Sequence, residues 1–298
     1  MYHYFIINPV AGRIQHEEVI EILKDILKTE SYAYNVTEHV WHARQLAFEA
    51  AANHADIRIY SIGGDGTLNE VANGIVESGN KEAVLVPIPL GSGNDFVRSL
   101  GYKKEKDLRK LIDRAVSCSY IEIDLCKAND RYFLNISSLG FDAQVVANAI
   151  AYKKNKFIPK GLAYYLSVFT TFVRMKFYPL TITVDDKETF DNNTTLLAVA
   201  NGRYYGGGII PVPGADIQDG CFDVCLVDKV RRIKVPIFFP MYAKGNHGKL
   251  KEVNFFKCRK LHVKCNNGFV SLNIDGELSK VKEVLFEVVN RKIRVGQI

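Results

Sequence analysis

The residues best placed to do chemistry are acids set in glycine-rich turns. Asp65 lies in Gly63-Gly64-Asp65-Gly66-Thr67-Leu68-Asn69-Glu70, and Asp95 closes Gly91-Ser92-Gly93-Asn94-Asp95-Phe96. The first turn follows an apolar run, Ile57-Arg58-Ile59-Tyr60-Ser61-Ile62, and leads into apolar positions Val71, Ala72, Ile75 and Val76 at helical spacing. A strand, a tight turn and a helix start make a phosphate-binding unit. Glycines let backbone N–H groups approach phosphate oxygens with no Cβ in the way, and the helix N-terminus adds unpaired donors and a partial positive charge. A structural turn would need the glycines but not the acid, whereas Asp65 could reach a phosphate-bound cation. The second loop follows another apolar strand at 84–89, and two such loops on successive strands favour a nucleotide site over ordinary turns.

Three further acids stand at element boundaries. Asp124 lies near the end of the alternating run 120–125, Asp219 precedes Gly220, and Asp275-Gly276-Glu277 follows a strand-like run at 270–274. Asp-Gly is also a hairpin-turn dipeptide. Turn and chemistry are compatible, because a turn at a sheet edge can present a carboxylate.

The elements that must position these residues fall into two textures. Residues 1–124 alternate strand and helix: strand 2–7, the loop Asn8-Pro9-Val10-Ala11-Gly12, a helix through Val19, Ile22, Leu23, Ile26 and Leu27, strand 32–36 and helix 43–52. Such alternation implies a mostly parallel sheet with ligands at the carboxyl ends of its strands. Asn8 to Gly12, Thr37, Gly63 to Glu70 and Gly91 to Asp95 then share one edge. Taken alone, Asn8-Pro9 is a routine turn signal and Thr37 carries no information. From about residue 119 strands dominate, at 120–125, 131–136, 180–184, 196–200, 222–227, 260–264, 269–274, 284–289 and 291–295. That count suggests a sandwich. The expected fold is an α/β N-terminal domain with a mostly parallel sheet, residues 1–124, plus a C-terminal β-sandwich domain, residues 125–298, that completes an active-site cleft.

The totals narrow the class. With 298 residues, 47% hydrophobic and 24% charged, the composition is that of a globular chain. No apolar run reaches the length of a membrane span, and the N-terminus reads as a first strand without a basic region or cleavage site, so a cytosolic location is expected. The six cysteines show no C-x-x-C pair and read as buried thiols. The net charge of +6 is clustered at residues 103–110, 153–160 and 231–234. Such clusters are solvated faces by default; peripheral contact with an anionic membrane surface is the functional alternative. Nucleic acid is set aside because no binding motif accompanies the charge. The richest apolar stretch, residues 161–173, carries Leu162, Leu166, Phe169 and Val173 on one helical stripe that fits either core packing or lipid contact.

The pairing of Gly63-Gly64-Asp65-Gly66-Thr67 with Gly91-Ser92-Gly93-Asn94-Asp95-Phe96, together with Asp275-Gly276-Glu277, resembles the diacylglycerol kinase catalytic domain superfamily. That superfamily includes sphingosine and ceramide kinases and bacterial diacylglycerol kinase-like lipid kinases, and the resemblance spans nearly the whole chain. The first loop alone also fits NAD kinases and phosphofructokinases. The second loop departs from the downstream signature of NAD kinases, and Asn8 to Gly12 stands where phosphofructokinases carry a glycine-rich loop. The resemblance implies a fold of the NAD kinase/diacylglycerol kinase type, with ATP and Mg2+ as cofactors. It puts ATP at Asn8, Pro9, Val10, Ala11, Gly12, Thr37, Gly63, Gly64, Asp65, Gly66, Thr67, Leu68, Asn69, Glu70, Ser92, Gly93 and Asn94. It puts Asp65, Asp95 and Asp124 around the catalytic Mg2+ and makes Glu277 the general base. It also implies a structural Mg2+ held by the Asp219 carboxylate and the carbonyls of Asp216 and Cys221.

The implied acceptor is diacylglycerol or a similar lipid alcohol; a sphingoid base, monoacylglycerol, ceramide or a polyprenol would use the same machinery. The rival outside the enzymes is a lipid- or nucleotide-binding regulator on the same fold. Five intact acids, Asp65, Asp95, Asp124, Asp219 and Glu277, argue against that rival. A homodimer stays open, since no stretch identifies an interface.

Overall fold

The computed structural model describes residues 1–12, 15–154, 158, 166, 167, 169–172 and 174–298. They divide into two compact units, Met1–Leu125 with Val289–Ile298, and Cys126–Val288.

In the first unit, strands β1 (Tyr2–Ile7), β2 (Tyr32–Val36), β3 (Ile57–Gly63) and β4 (Val84–Pro89) run parallel in the order β4-β3-β1-β2. The near-continuous burial of β3 and β4 fits strands covered on both faces, while β2 at the edge is only half-buried. Helices α1 (His16–Ile26), α2 (His42–Asn53), α3 (Asp65–Ser78), α4 (Asp95–Ser99) and α5 (Leu108–Ser117) alternate with them. Phe5, Tyr60, Ile62 and Val86 pack with Leu23 of α1 and Ile112 of α5, while α2 and α3 pack against the sheet through contacts with β1, β3 and β4. Helix α5 lies in a stretch that looks merely basic in the sequence. Its buried stripe is Leu108, Leu111, Ile112 and Ala115, and the Asp107 carboxylate caps it by accepting from the Lys110 N–H at 3.2 Å. Arg109 of this cluster reaches across to Asp25 on α1. Lys28 first, and then Arg109, hold the Asp25 carboxyl down at about 2.

The second unit is built on β6 (Arg131–Phe133), β7 (Ile136–Gly140), β8 (Tyr178–Val184), β9 (Glu188–Ala200), β10 (Phe222–Asp228), β11 (Val253–Cys258), β12 (Lys260–Cys265), β13 (Val270–Ile274) and β14 (Glu277–Val281). Helix α6 (Phe141–Lys154) follows β7, and α7 (Val235–Ala243) follows β10. Strand β5 (Ser119–Ala128) enters this unit from the first, and β15 (Glu283–Gln297) makes the return passage. The 13-residue strand β9 serves two antiparallel layers. Residues 188–194 pair with β8, and residues 194–200 pair with β7 and β10. One layer runs β14-β13-β7-β9-β10-β11 and the other β9-β8-β12-β15. Leu197, Val199 and Val224 of the first layer meet Leu180, Ile182 and Val263 of the second. Alternation along the strands turns Ala198, Ala200, Cys225 and Val227 the other way, onto Val235 and Tyr242 of α7.

Three strand expectations are corrected. Residues 284–289 and 291–295 form one strand, β15, which changes partner from β12 at 283–287 to β4 at 294–295 instead of turning at Asn290. The run 131–136 is two strands, because the Leu134 and Ile136 N–H groups leave the ladder for the Asp275 carboxylate. Strands β11 and β14 and helix α7 were not foreseen. Of the 161–173 stripe, Leu162 and Val173 lie outside the described residues, while Leu166 is half-buried and Phe169 is exposed; the side chains of the 153–160 lysines, and the membrane reading attached to them, lie outside the described residues. Among the described residues no helix is long and apolar enough to cross a membrane.

One buried histidine makes this packing pH-dependent. His247 is fully buried beside the rings of Tyr242, Phe238 and Phe255, with Nε2 3.0 Å from the Pro211 carbonyl. Burial pushes its pKa below the ordinary imidazole value, and it does the same to His3. The unfolded chain takes up these protons near pH 6.5 while the folded chain does not, so stability present above about pH 6.5 is lost as pH falls through the folded values. The thermal midpoint should fall between about pH 7.5 and about pH 5. In His247→Phe that fall should be shallower, with the His3 share remaining, as differential scanning fluorimetry across the range would show.

Candidate active site

Because β1 to β4 are parallel, the loops after them leave one edge of the first unit, as the alternation implied. Thr37 is fixed there by its N–H donating to the Ile7 carbonyl at 2.8 Å. The Asn8 N–H donates to the Ile62 carbonyl at 2.9 Å, and its side-chain Nδ2 donates to Thr67 Oγ1 at 2.8 Å. Asn8 Oδ1 accepts from the Val10 N–H at 3.1 Å, which tightens the first loop while Pro9, Val10 and Gly12 stay exposed. Thr67 and Asn69 are buried in the first turns of α3, with Leu68 between them and Glu70 half-buried behind.

The two glycine loops touch through backbone. The Gly63 carbonyl accepts from the N–H groups of Leu90 and Gly91 at 2.8 and 3.1 Å. A Cβ on Gly91 would sit 2.5 Å from the Gly64 Cα, so only glycine fits. Asp65 Oδ1 accepts from the Phe96 N–H at 3.2 Å, which ties the first loop to the start of α4. Gly93 marks where the acids converge: a Cβ built there would lie 2.9 Å from Asp65 Oδ2 and 3.4 Å from Asp95 Oδ2. Arg98 stands 3.7 Å from Asp95, Ser92 is exposed, and Asn94 folds back through Nδ2 onto the Gly91 carbonyl at 2.7 Å.

An opening at this edge is lined by Ser61, Gly64, Asp65, Leu68, Pro89 and Asn94. Ser61 Oγ and Asn94 Oδ1 are buried there with no hydrogen-bond partner among the described residues, a state that protein polar atoms rarely keep. The first-turn N–H groups of α3 have no carbonyl to meet inside the helix, and its dipole adds positive potential. This edge can hold phosphate, and the two converging carboxylates offer hard oxygen donors to a divalent cation beside it.

Asp124 lies apart from these contacts on β5. It is 3% exposed, and its ion-pair partner is Lys292 Nζ at 3.6 Å on the returning strand β15. Nothing in the sequence pointed to Lys292.

The second unit presents Glu277 on a constrained hairpin. Ile274 and Glu277 are register partners, and Asp275 and Gly276 between them have φ of 45° and 96°. Both values are positive, as in a type I′ turn, so the expected Asp-Gly hairpin is present. The Asp275 carboxylate accepts from the Leu134 and Ile136 N–H groups at 3.0 and 2.9 Å, and Asn273 Oδ1 accepts from the Gly276 N–H at 3.0 Å. Arg131 Nη2 donates to Glu277 Oε2 at 2.8 Å, with both side chains about a third exposed. Sequence reasoning missed Arg131, which is 146 positions from its partner.

Asp219-Gly220 is not a hairpin, since the turn joins an irregular stretch to β10. Asp219 Oδ1 accepts from the Cys221 N–H at 3.0 Å, and Oδ2 pairs with Lys257, whose Nζ is also 3.4 Å from Asp223. Asp216 Oδ1 accepts from the Gln218 N–H at 3.0 Å. Lys257 thus sets a positive charge against the carboxylate that was expected to hold the structural cation. No group of three or more His, Cys, Asp or Glu placed to hold a metal occurs among the described residues.

A parallel α/β unit with a phosphate-binding edge, followed in the chain by a two-layer β unit, defines a class of two-domain kinases. Residues 3–128 match the diacylglycerol kinase catalytic domain, and residues 135–297 match the YegS C-terminal NAD kinase beta sandwich-like domain. A diacylglycerol kinase of Staphylococcus saprophyticus is 31% identical over 277 residues, covering 91% of this chain and 87% of the relative. One of Staphylococcus epidermidis is 31% identical over 91% of this chain and 84% of its own length. In fold, the chain is similar to a crystal structure of a diacylglycerol kinase from Bacillus anthracis strain Sterne, with a TM-score of 0.74, 20% identity, and 99% of this chain and 96% of that one covered. A second solved chain from that strain gives a TM-score of 0.80 at 23% identity over 99% of this chain and 94% of its own length. The protein belongs to the diacylglycerol kinase family, whose members are lipid kinases that take phosphate from ATP.

Gly91→Ala tests the backbone contact between the loops. The added methyl cannot be accommodated without parting them, so stability should fall by about 1–3 kcal/mol. ATP binding, followed by isothermal titration calorimetry on the folded fraction, should weaken at least tenfold.

Proposed function

We propose that this chain transfers the γ-phosphate of ATP to the hydroxyl of diacylglycerol or a closely similar lipid alcohol. The observation that carries the reading is the convergence of Asp65 and Asp95 at Gly93, beside the N-terminus of α3, with Asp65 locked by the Phe96 N–H. Asn8, Thr37, the residues from Gly63 to Glu70, Ser92, Gly93 and Asn94 hold the nucleotide in this reading. Asp65 and Asp95 would hold Mg2+, and Asp124 would act through its waters. Two carboxylates with phosphate and water oxygens suit this cation's preference. Bound there, it would neutralise charge on the phosphates. At Asp219 the carboxylate accepts from the Cys221 N–H and pairs with Lys257, so in this reading Lys257, and not a second, structural Mg2+, balances its charge.

Glu277 serves as general base. The lipid oxygen forms a bond to the γ-phosphorus, the bond from that phosphorus to the bridging oxygen breaks, ADP leaves, and the hydroxyl proton passes to Glu277. Arg131 holds the carboxylate in one orientation, and the Asp275 anchors hold the turn that carries it.

The test is transfer of labelled γ-phosphate to a panel of lipid alcohols in mixed micelles, with NAD as a parallel acceptor. Glu277→Gln should lower kcat by roughly 10²–10⁴-fold with ATP affinity kept. Asp65→Asn should lose both binding and turnover. Label on NAD, or wild-type turnover in Glu277→Gln, would overturn the reading. Chelation of divalent metal in the absence of nucleotide should leave the thermal midpoint unchanged, as expected if Lys257 and not a cation satisfies Asp219.

A further inference from the structure

The segment from β10 to β11 has a composition unlike the rest of the chain. Between residues 229 and 251 it holds seven basic residues, Lys229, Arg231, Arg232, Lys234, Lys244, Lys249 and Lys251, and no acid. At its centre, a 3₁₀ turn at Arg232–Lys234 runs directly into α7, whose sequence, VPIFFPMYA, contains no charge. Ile233 is 82% exposed and Ile237 is 68% exposed, values that β-branched aliphatic residues seldom reach. Four residues apart on a helical path, they share one side, with Pro236 and Pro240 exposed as well.

The opposite side is anchored. Val235 and Tyr242 are buried, and Phe238 stacks on Tyr242 with ring centroids 5.7 Å apart. Arg232 Nη2 donates to the Met175 carbonyl at 3.3 Å, and Lys234 pairs with Glu252. The isoleucines are therefore held outward by a fixed base and do not lie on a loose tail.

We infer that Ile233 and Ile237 form an apolar tip that inserts into an anionic lipid bilayer, with the exposed Arg231 and Lys244 beside it meeting the headgroups. Charge decides the occupant. A second copy of this chain would bring the same basic rim against itself, whereas anionic phospholipid complements it. An apolar face within a rim of Lys and Arg is the arrangement of helices that lie at a bilayer interface. The inference deepens the lipid-kinase reading, on which it rests for its purpose, by assigning the surface that would bring the enzyme to a substrate buried in a membrane.

The test is sedimentation of the full chain with vesicles lacking diacylglycerol and nucleotide, so that binding is read without catalysis. Phosphatidylcholine vesicles are compared with phosphatidylcholine–phosphatidylglycerol vesicles. The wild-type chain should partition at least tenfold more strongly onto the anionic vesicles, and added salt should weaken this. Ile233→Ser/Ile237→Ser should reduce partitioning at least tenfold with an unchanged thermal midpoint, and Arg231→Glu should lose most of the preference for phosphatidylglycerol. With a short-chain, water-soluble diacylglycerol the isoleucine variant should turn over like wild type, and with long-chain diacylglycerol in vesicles it should be slower. Wild-type partitioning by the isoleucine variant would overturn the inference while leaving the kinase reading intact. So would loss of a dimer in light scattering with vesicle binding unchanged, which would make this face a self-association surface. Vesicle binding as described, with no transfer to any lipid, would sustain the surface and sink the kinase reading instead.

Discussion

The rest of the nucleotide edge depends on a distance too short for any side chain, the approach of Gly91 to the Gly64 Cα. Phosphate oxygens need several N–H donors within one hydrogen-bond radius, and two strand ends can supply them only if their loops nearly touch. The parallel order β4-β3-β1-β2 brings β3 and β4 side by side, and the Gly63 carbonyl binds the loop after β4 to the end of β3. With the backbones fixed, Asp65 and Asp95 converge at Gly93, although 29 residues of helix and strand separate them in the chain.

The second unit holds the Glu277 carboxylate on a hairpin fixed by polar side chains. Its hairpin is closed by residues whose side chains are spent on backbone. Asp275 takes two N–H groups and Asn273 takes the Gly276 N–H. The interruption between β6 and β7 supplies the N–H groups that anchor the turn. Glu277 is thereby held by the register of two strands and by Arg131.

What could be read in the sequence was what is local in it. Each glycine loop lies within ten residues, each strand of the first unit has its own apolar run, and the Asp-Gly turn before Glu277 announces itself. What could not be read was every ionic partner brought in from afar. Arg131 for Glu277, Lys292 for Asp124 and Lys257 for Asp219 are ordinary basic residues until strand pairing sets them opposite acids. Lys257 also bears on its site, because its ammonium group pairs with the carboxylate that the resemblance assigned to a metal. In helix α5 the stripe Leu108, Leu111, Ile112 and Ala115 is interleaved with Arg109, Lys110 and Arg114, so a short amphipathic helix looks like a basic run. Strand β15 reads as two runs, 284–289 and 291–295, and pairing on both sides of residue 290 joins them into one.

The double service of β15 governs how the chain can be made. Arg294 pairs with Glu82, 212 positions earlier, and the strand adds itself beside β4 only after the whole second unit has been synthesised. The nascent first unit therefore emerges with the flank of β4 lacking that neighbour. Contacts of such sequence separation form late and slowly, and a bare strand edge in the interval invites pairing with other chains. Refolding from denaturant should thus be limited by the arrival of the last strand, and chaperone dependence should be greatest for chains stalled before it.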